Sequence, residues 1–192
     1  MLERYFGASG AALSFDAARS ALSLSGDRVA FHCDKFNTRI LKNFEDVMGY
    51  EDGGKLLCDM AASTTYAALN RALVEGENAA AFAALDLRGK LEAITEYFKL
   101  LAYGAIEIVE LSPTQAKVVS SHSYLAEGWL ENKKRWNLDE RMGPACHDLR
   151  GHLAAAMCIC TGRPLGSFHC TETLCRAYKN GERCEFTVEV QA

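Results

Sequence analysis

Glu172-Thr173-Leu174-Cys175-Arg176-Ala177-Tyr178-Lys179-Asn180-Gly181-Glu182-Arg183-Cys184-Glu185-Phe186 is the stretch on which both the fold and the candidate site turn. Asn-Gly best suits a two-residue hairpin turn, because both central positions take positive φ. The spacing therefore predicts strands over 166–175 and 182–190, with Ala177 opposite Cys184 and Cys175 as its diagonal neighbour on the same face. Two thiols on one face of a hairpin are half of a soft-metal site, with zinc the obvious candidate ion. Glu172 lies three residues before Cys175 and would point to the other face of a regular strand. It joins the pair only through a bulge or bend near Thr173-Leu174.

Upstream, Pro144 opens a helix that carries the small residues Gly151, Ala154, Ala155 and Ala156 and stops at Gly162. Its small face is expected to pack closely. Cys146 falls in the first turn, where free amides and the helix dipole favour a thiolate, and Leu149, Leu153 and Cys160 share its side. Five of the eight cysteines lie between Cys158 and Cys184. The plainer reading is that these are ordinary buried thiols, since cysteine is among the most buried residue types. Spacing leaves both readings open, and either Cys170 or His169 competes with Glu172 as a third ligand.

Earlier segments predict more helices and a second strand pair. Apolar residues recur at helical spacing over 34–50, with Gly49 near the end, and again over about 56–73, after a break expected at Gly53-Gly54. An alanine-rich connector leads to a helix over about 87–103, ending at Gly104. Segments 105–111 and 116–122 read as an antiparallel pair around Ser112-Pro113-Thr114, and 124–136 reads as a helix. Residues 21–33 suit a short hairpin or edge strand. The sum is an α+β chain, with helices packed on an antiparallel sheet, no βαβ alternation and no internal repeat. With 192 residues, 49% of them hydrophobic, residues 1–192 are expected to form one domain.

The formal charge of -4, from 21 basic and 25 acidic residues, argues against a nucleic-acid partner. No apolar run approaches membrane-spanning length, and the start lacks a secretory pattern, so the expected location is cytoplasmic. In that compartment cysteines serve as metal ligands or buried thiols more than as disulfides. Gly7-Ala8-Ser9-Gly10 lacks the spacing of a nucleotide loop. Tyr97, Phe98, Tyr103, Tyr124 and Trp129 are candidate linings of an apolar ligand cavity, though aromatics at helical spacing are commonly plain core. His122 and His152 are candidates for orienting a polar head group, and neither has a partner detectable in sequence.

The run from Pro144-Ala145-Cys146 through Gly151, then Gly162-Arg163-Pro164, then Glu172-x2-Cys175 and Cys184, resembles the 4-vinyl-reductase-type, or hydrocarbon-binding, domain, most clearly over about 118–190. That family includes sensor domains of aromatic-responsive transcription activators and proteins linked to bacteriochlorophyll synthesis, and it is related to Bet-type TRAPP subunits. The resemblance implies a structural zinc on Cys146, Glu172, Cys175 and Cys184, with Tyr124 at a pocket-lining position. It further implies a homodimer and an apolar, aromatic or tetrapyrrole-like ligand. The function it implies is a binding sensor or carrier, or alternatively an enzyme or accessory in vinyl-group reduction. Four protein ligands leave a metal no open position, so the zinc would be structural. The sequence carries no ATPase or helix-turn-helix signature, so any output is expected to pass through a protein partner.

Overall fold

A computed structural model describes residues 13–17, 19, 21–24, 27–29, 32–179 and 181–191. Three short strands, β1 (Leu13–Asp16), β2 (Ala21–Leu24) and β3 (Asp27–Val29), form a small antiparallel sheet. Helices α1 (Asp34–Met48) and α2 (Tyr50–Leu69) follow, then a π-helical turn at Asn70–Val74 and helices α3 (Ala79–Ala83) and α4 (Leu87–Leu100). Strands β4 (Ile106–Leu111) and β5 (Gln115–Ser120) precede α5 (Tyr124–Trp136) and α6 (His147–Thr161), and β6 (Phe168–Leu174) and β7 (Cys184–Val190) close the chain.

The larger sheet has the order β4-β5-β7-β6 and is antiparallel throughout. Alternation sends Ala116, Val118 and Ser120 of β5, Cys184, Phe186 and Val188 of β7, and Phe168, Cys170 and Glu172 of β6 to the buried face. Cross-strand rows result, such as Cys170, Val188 and Ala116, and Glu172, Phe186 and Val118. α6 lies against this sheet and α2. Its residues from Gly151 to Cys160 are buried on every side, as expected for an apolar helix with no polar face. Gly151 makes the close crossing possible: a Cβ there would lie 2.2 Å from the carbonyl oxygen of Cys58 on α2.

Several local expectations are corrected. Gly53-Gly54 does not break the chain; α2 runs straight through it. A Cβ at Gly53 would lie 2.7 Å from the Phe44 oxygen, and one at Gly54 2.5 Å from the His147 ring, so these glycines serve close packing. The break falls at Gly49, with φ 87. The helix expected to end at Gly104 stops at Leu100, where Ala102 takes φ 62 and the Tyr103 N–H bonds back to the Phe98 carbonyl at 3.0 Å. Gly104 instead turns the chain into β4, against the His122 carbonyl. Part of the alanine-rich connector is helical, as α3.

The tight hairpin turn is also corrected. Glu172 pairs with Phe186 and Leu174 with Glu185, so Ala177 does not face Cys184. Cys175 instead bridges to Tyr178, whose N–H donates to the Cys175 carbonyl at 3.1 Å, and Lys179 takes φ 55. Asn180 lies outside the described residues. Within this wider loop Arg176 pairs with Glu127 of α5 at 2.8 Å and donates to the Glu182 carbonyl at 2.8 Å. The register shift expected near Thr173 is present, between Glu172 and Leu174.

Candidate metal centre and ligand-binding interior

Cys146 is the N-cap residue of α6, so its thiol sits where the helix exposes unpaired amides. The approach to that cap is held by a buried polar cluster that sequence reasoning did not find. The Arg141 side chain donates through Nε to the Gly143 carbonyl at 2.8 Å and pairs with Glu45 of α1, and its guanidinium stacks on Trp129 at 4.3 Å. Glu45 also contacts His147 Nε2 at 3.2 Å, and the Tyr50 hydroxyl donates to the Pro144 carbonyl at 3.1 Å. Arg150 Nε donates to the Cys170 carbonyl at 2.9 Å, tying α6 to β6. No short sequence motif marks these partners, which lie on separate elements.

The register shift at Thr173 lets Glu172 and Cys175 both turn inward although three residues separate them. Ligand atoms of Cys146, Glu172, Cys175 and Cys184 all lie within 4.8 Å of one another, and all four residues are buried. Among the described residues no other such group is found, and neither Cys170 nor His169 belongs to this one. Cys146 Sγ and Cys184 Sγ are 3.6 Å apart, close to the ~3.8 Å edge of a tetrahedron built on 2.3 Å metal–sulfur bonds. The Cys146 N–H donates to Glu172 Oε2 at 2.9 Å and the Ala145 N–H to Cys175 Sγ at 3.4 Å. Ser123, the N-cap of α5, places its Oγ 2.9 Å from Cys146 Sγ.

One carboxylate oxygen, Glu172 Oε1, is buried with no partner. Leaving such an atom unsatisfied costs on the order of 1–3 kcal/mol, so the site is incomplete as protein alone. Burial, then the neighbouring Cys175, pushes Glu172 up to about 8, and burial pushes the Cys146 thiol well up. Hydrogen bonds from the Cys146 and Cys184 thiols hold Cys175 far below the ordinary thiol range. The cluster therefore keeps protons that a cation would displace. This buried three-cysteine, one-glutamate group can hold a metal ion.

The candidate ligand-lining residues separate. Phe98 is core, with its ring centroid 6.1 Å from Tyr103 and 5.6 Å from His152, and Tyr103 stacks edge-on to His152 at 4.3 Å. Tyr97 packs half-buried beside this core. Tyr124 accepts from Asn37 at 2.7 Å through its hydroxyl, and its N–H donates to the Tyr103 carbonyl. Trp129 lies apart, under Arg141. Two clefts, of about 500 and 590 Å³, are lined by none of Tyr97, Phe98, Tyr124 or Trp129. The first runs between α2, α6 and β6 past Cys58, Cys158 and Cys170, and burial raises Cys58 and Cys170, which keeps those two thiols neutral. His122 is largely exposed, 3.6 Å from Glu127, while His152 is buried and held by Thr65 at 2.6 Å.

Fold and site together define an α+β domain whose C-terminal hairpin meets the start of its central helix at a buried metal-competent cluster. No family model matches the sequence, and no curated protein matches it. Among solved structures the chain is similar to the phenol-responsive sensory domain of the transcription activator PoxR, determined with phenol. The TM-score is 0.71 at 13% identity, over 93% of this chain and 84% of that one. At this identity the likeness is one of fold. Among the described residues no helix is long and apolar enough to cross a membrane.

Proposed function

We propose that residues 1–192 form one sensor or carrier domain that binds a small apolar or aromatic molecule, stabilised by a zinc ion on Cys146, Glu172, Cys175 and Cys184. The observation that carries this reading is the buried cluster itself, in a fold shared with a phenol-responsive sensory domain. Three thiolates and a carboxylate suit zinc in charge and softness. With all four positions filled by protein, the ion would hold the β6–β7 loop to α6 and perform no chemistry.

The ligand would lie in the helical interior near Phe98 and Tyr103, with Tyr97 and Tyr124 at its margin and Trp129 as supporting core. The phenol held by the structurally similar sensory domain supports a one-ring aromatic over a tetrapyrrole, and binding over vinyl-group reduction. Pairing of two copies and output through a partner protein belong to the same reading, with the cytoplasm as its compartment.

Metal analysis of tag-free protein tests the staple. One zinc per chain is expected, and its removal by a chelator should lower stability by more than about 4 kcal/mol, or roughly 10 °C in Tm. Metal-free protein with an unchanged Tm would defeat the structural zinc. Calorimetric titration with phenol and toluene tests the ligand class, and absence of heat with both would defeat the sensor reading.

A further inference from the structure

The cleft of about 500 Å³ between α2, α6 and β6 is rich in sulfur. Cys58, Cys158 and Cys170 line it together with Met60, and none of the four belongs to the Cys146 cluster. The sulfur-bearing residues are graded in depth. Met60 is 50% exposed, Cys58 is half-buried, and Cys158 and Cys170 are each 1% exposed. A buried cysteine by itself is ordinary core. Here three of them line an open cleft with a thioether at its outer edge, and Leu165 and Phe168 supply apolar wall.

Contacts with consecutive residues of α6 fix the frame that carries two of these thiols. A Cβ on Gly151 would lie 2.2 Å from the Cys58 carbonyl oxygen, and the Cys170 carbonyl accepts from Arg150 Nε at 2.9 Å. Cys58 on α2 and Cys170 on β6 therefore meet one turn of the helix from two sides. Their side chains share the cleft, and the charge of Arg150 acts on both. That guanidinium is half-buried. Its partners are the Cys170 carbonyl and His147 Nδ1, and among the described residues no carboxylate pairs with it.

We infer that this cleft is a second metal site, for a soft monovalent ion of the copper(I) class, held between Cys58 and Cys170 with Met60 at the entrance. Thiolate and thioether donors select copper(I). Ligand number disfavours zinc, which takes four donors in a tetrahedron. Among the described residues no second group of three or more candidate donors comes within reach of one ion, so the cleft offers a pair. Charge points the same way. Two thiol protons leave to water as two sulfur–metal bonds form, with no change of oxidation state. The ion brings one positive charge to two thiolates, and the Arg150 guanidinium offsets the single negative charge that remains. A divalent ion on the same pair would be neutral and would leave that cation without a counter-charge.

The inference is independent of the sensor reading, and zinc is measured beside copper. Full-length chain loaded with zinc is titrated with copper(I) under ascorbate, against a copper(I)-selective chromophoric chelator, and in parallel with silver(I), a soft monovalent ion that needs no reductant. One copper(I) per chain is expected, with zinc retained. Cys58→Ser and Cys170→Ser should each weaken copper(I) by at least about 100-fold, the upper end of what even an outer partner of a metal contributes, and should leave zinc bound. Cys158→Ser should keep the copper affinity, because that thiol is not one of the pair. In wild type the ¹³Cβ signals of Cys58 and Cys170 should move with silver(I) while those of Cys146, Cys175 and Cys184 stay, a readout that requires no variant to fold. Absence of copper uptake, copper(I) that only displaces zinc, silver(I) that moves only the Cys146 cluster, or affinity unchanged in both serine variants overturns the inference. A chain that takes copper(I) on Cys58 and Cys170 but holds no zinc supports it and defeats the structural zinc alone.

Discussion

Ser123 stands against the cysteine cluster. Its hydroxyl oxygen is 2.9 Å from Cys146 Sγ, both residues are at most 1% exposed, and the next residue, Tyr124, bonds through its N–H to the Tyr103 carbonyl. Once Cys146 is a metal-bound thiolate the hydroxyl must donate to it, which lowers charge on the sulfur and fixes its direction. Outer partners of this kind are worth 10–100-fold in metal affinity. Ser123→Ala should therefore weaken zinc about tenfold in a chelator competition, with Ser123→Thr restoring part of the loss. Cys170→Ser should leave affinity within about twofold, because Cys170 is outside the cluster. Cys146 and Cys184 were readable as ligand candidates from a helix start and a strand. Glu172 was not separable from Cys170 by alternation, because the irregularity at Thr173 changes which residues point inward after it. His152 was visible as a residue, but its partner Thr65 lies 87 positions away, a relation no local pattern encodes.

At the level of elements, the fold rests on how closely α6 approaches α2. A Cβ at Gly151 would meet the Cys58 oxygen at 2.2 Å and the Ala62 nitrogen at 2.8 Å, both backbone atoms that cannot rotate aside. Gly151→Ala should gain ~1 kcal/mol in helix propensity and still lose about 3 kcal/mol overall by forcing the helices apart, read as a shift in urea midpoint. An unchanged midpoint would mean that the two helices yield at this crossing without loss of packing. The small face of α6 was legible because Gly151, Ala154, Ala155 and Ala156 sit at helical spacing. The glycines of α2 were misread for the same physical reason that Gly151 is needed. Glycine marks both a break and a close approach, and only the partner surface distinguishes them: Phe44 for Gly53 and His147 for Gly54. Asn180 lies outside the described residues, and in place of the Ala177–Cys184 pairing that an Asn-Gly turn would set, Leu174 pairs with Glu185 and Cys175 bridges to Tyr178.

Across the whole molecule, the buried groups of α6 make stability depend on pH in opposing ways. Burial holds His152 at about 4 against 6.5 for a free histidine, so between these values the unfolded chain binds the extra proton. Stability from keeping this histidine neutral is present above pH 6.5 and is lost as pH falls toward 4, by as much as about 3 kcal/mol. Asp148, one turn away, is pushed up to about 6 by burial against 3.8 when free. Its sign is reversed: the folded chain binds the extra proton between 3.8 and 6, so its contribution improves as pH falls. The two slopes largely offset each other, and the wild-type pH profile alone is uninformative. Comparison with His152→Phe isolates one of them, because Asp148 and the metal cluster are common to both proteins. From pH 7 to pH 4.5 the unfolding free energy of wild type should fall relative to His152→Phe by about 2–3 kcal/mol, with most of the change below pH 6. Parallel profiles for the two proteins would show that the imidazole titrates alike in the folded and unfolded chains. His152 would then lie open to water in the folded chain.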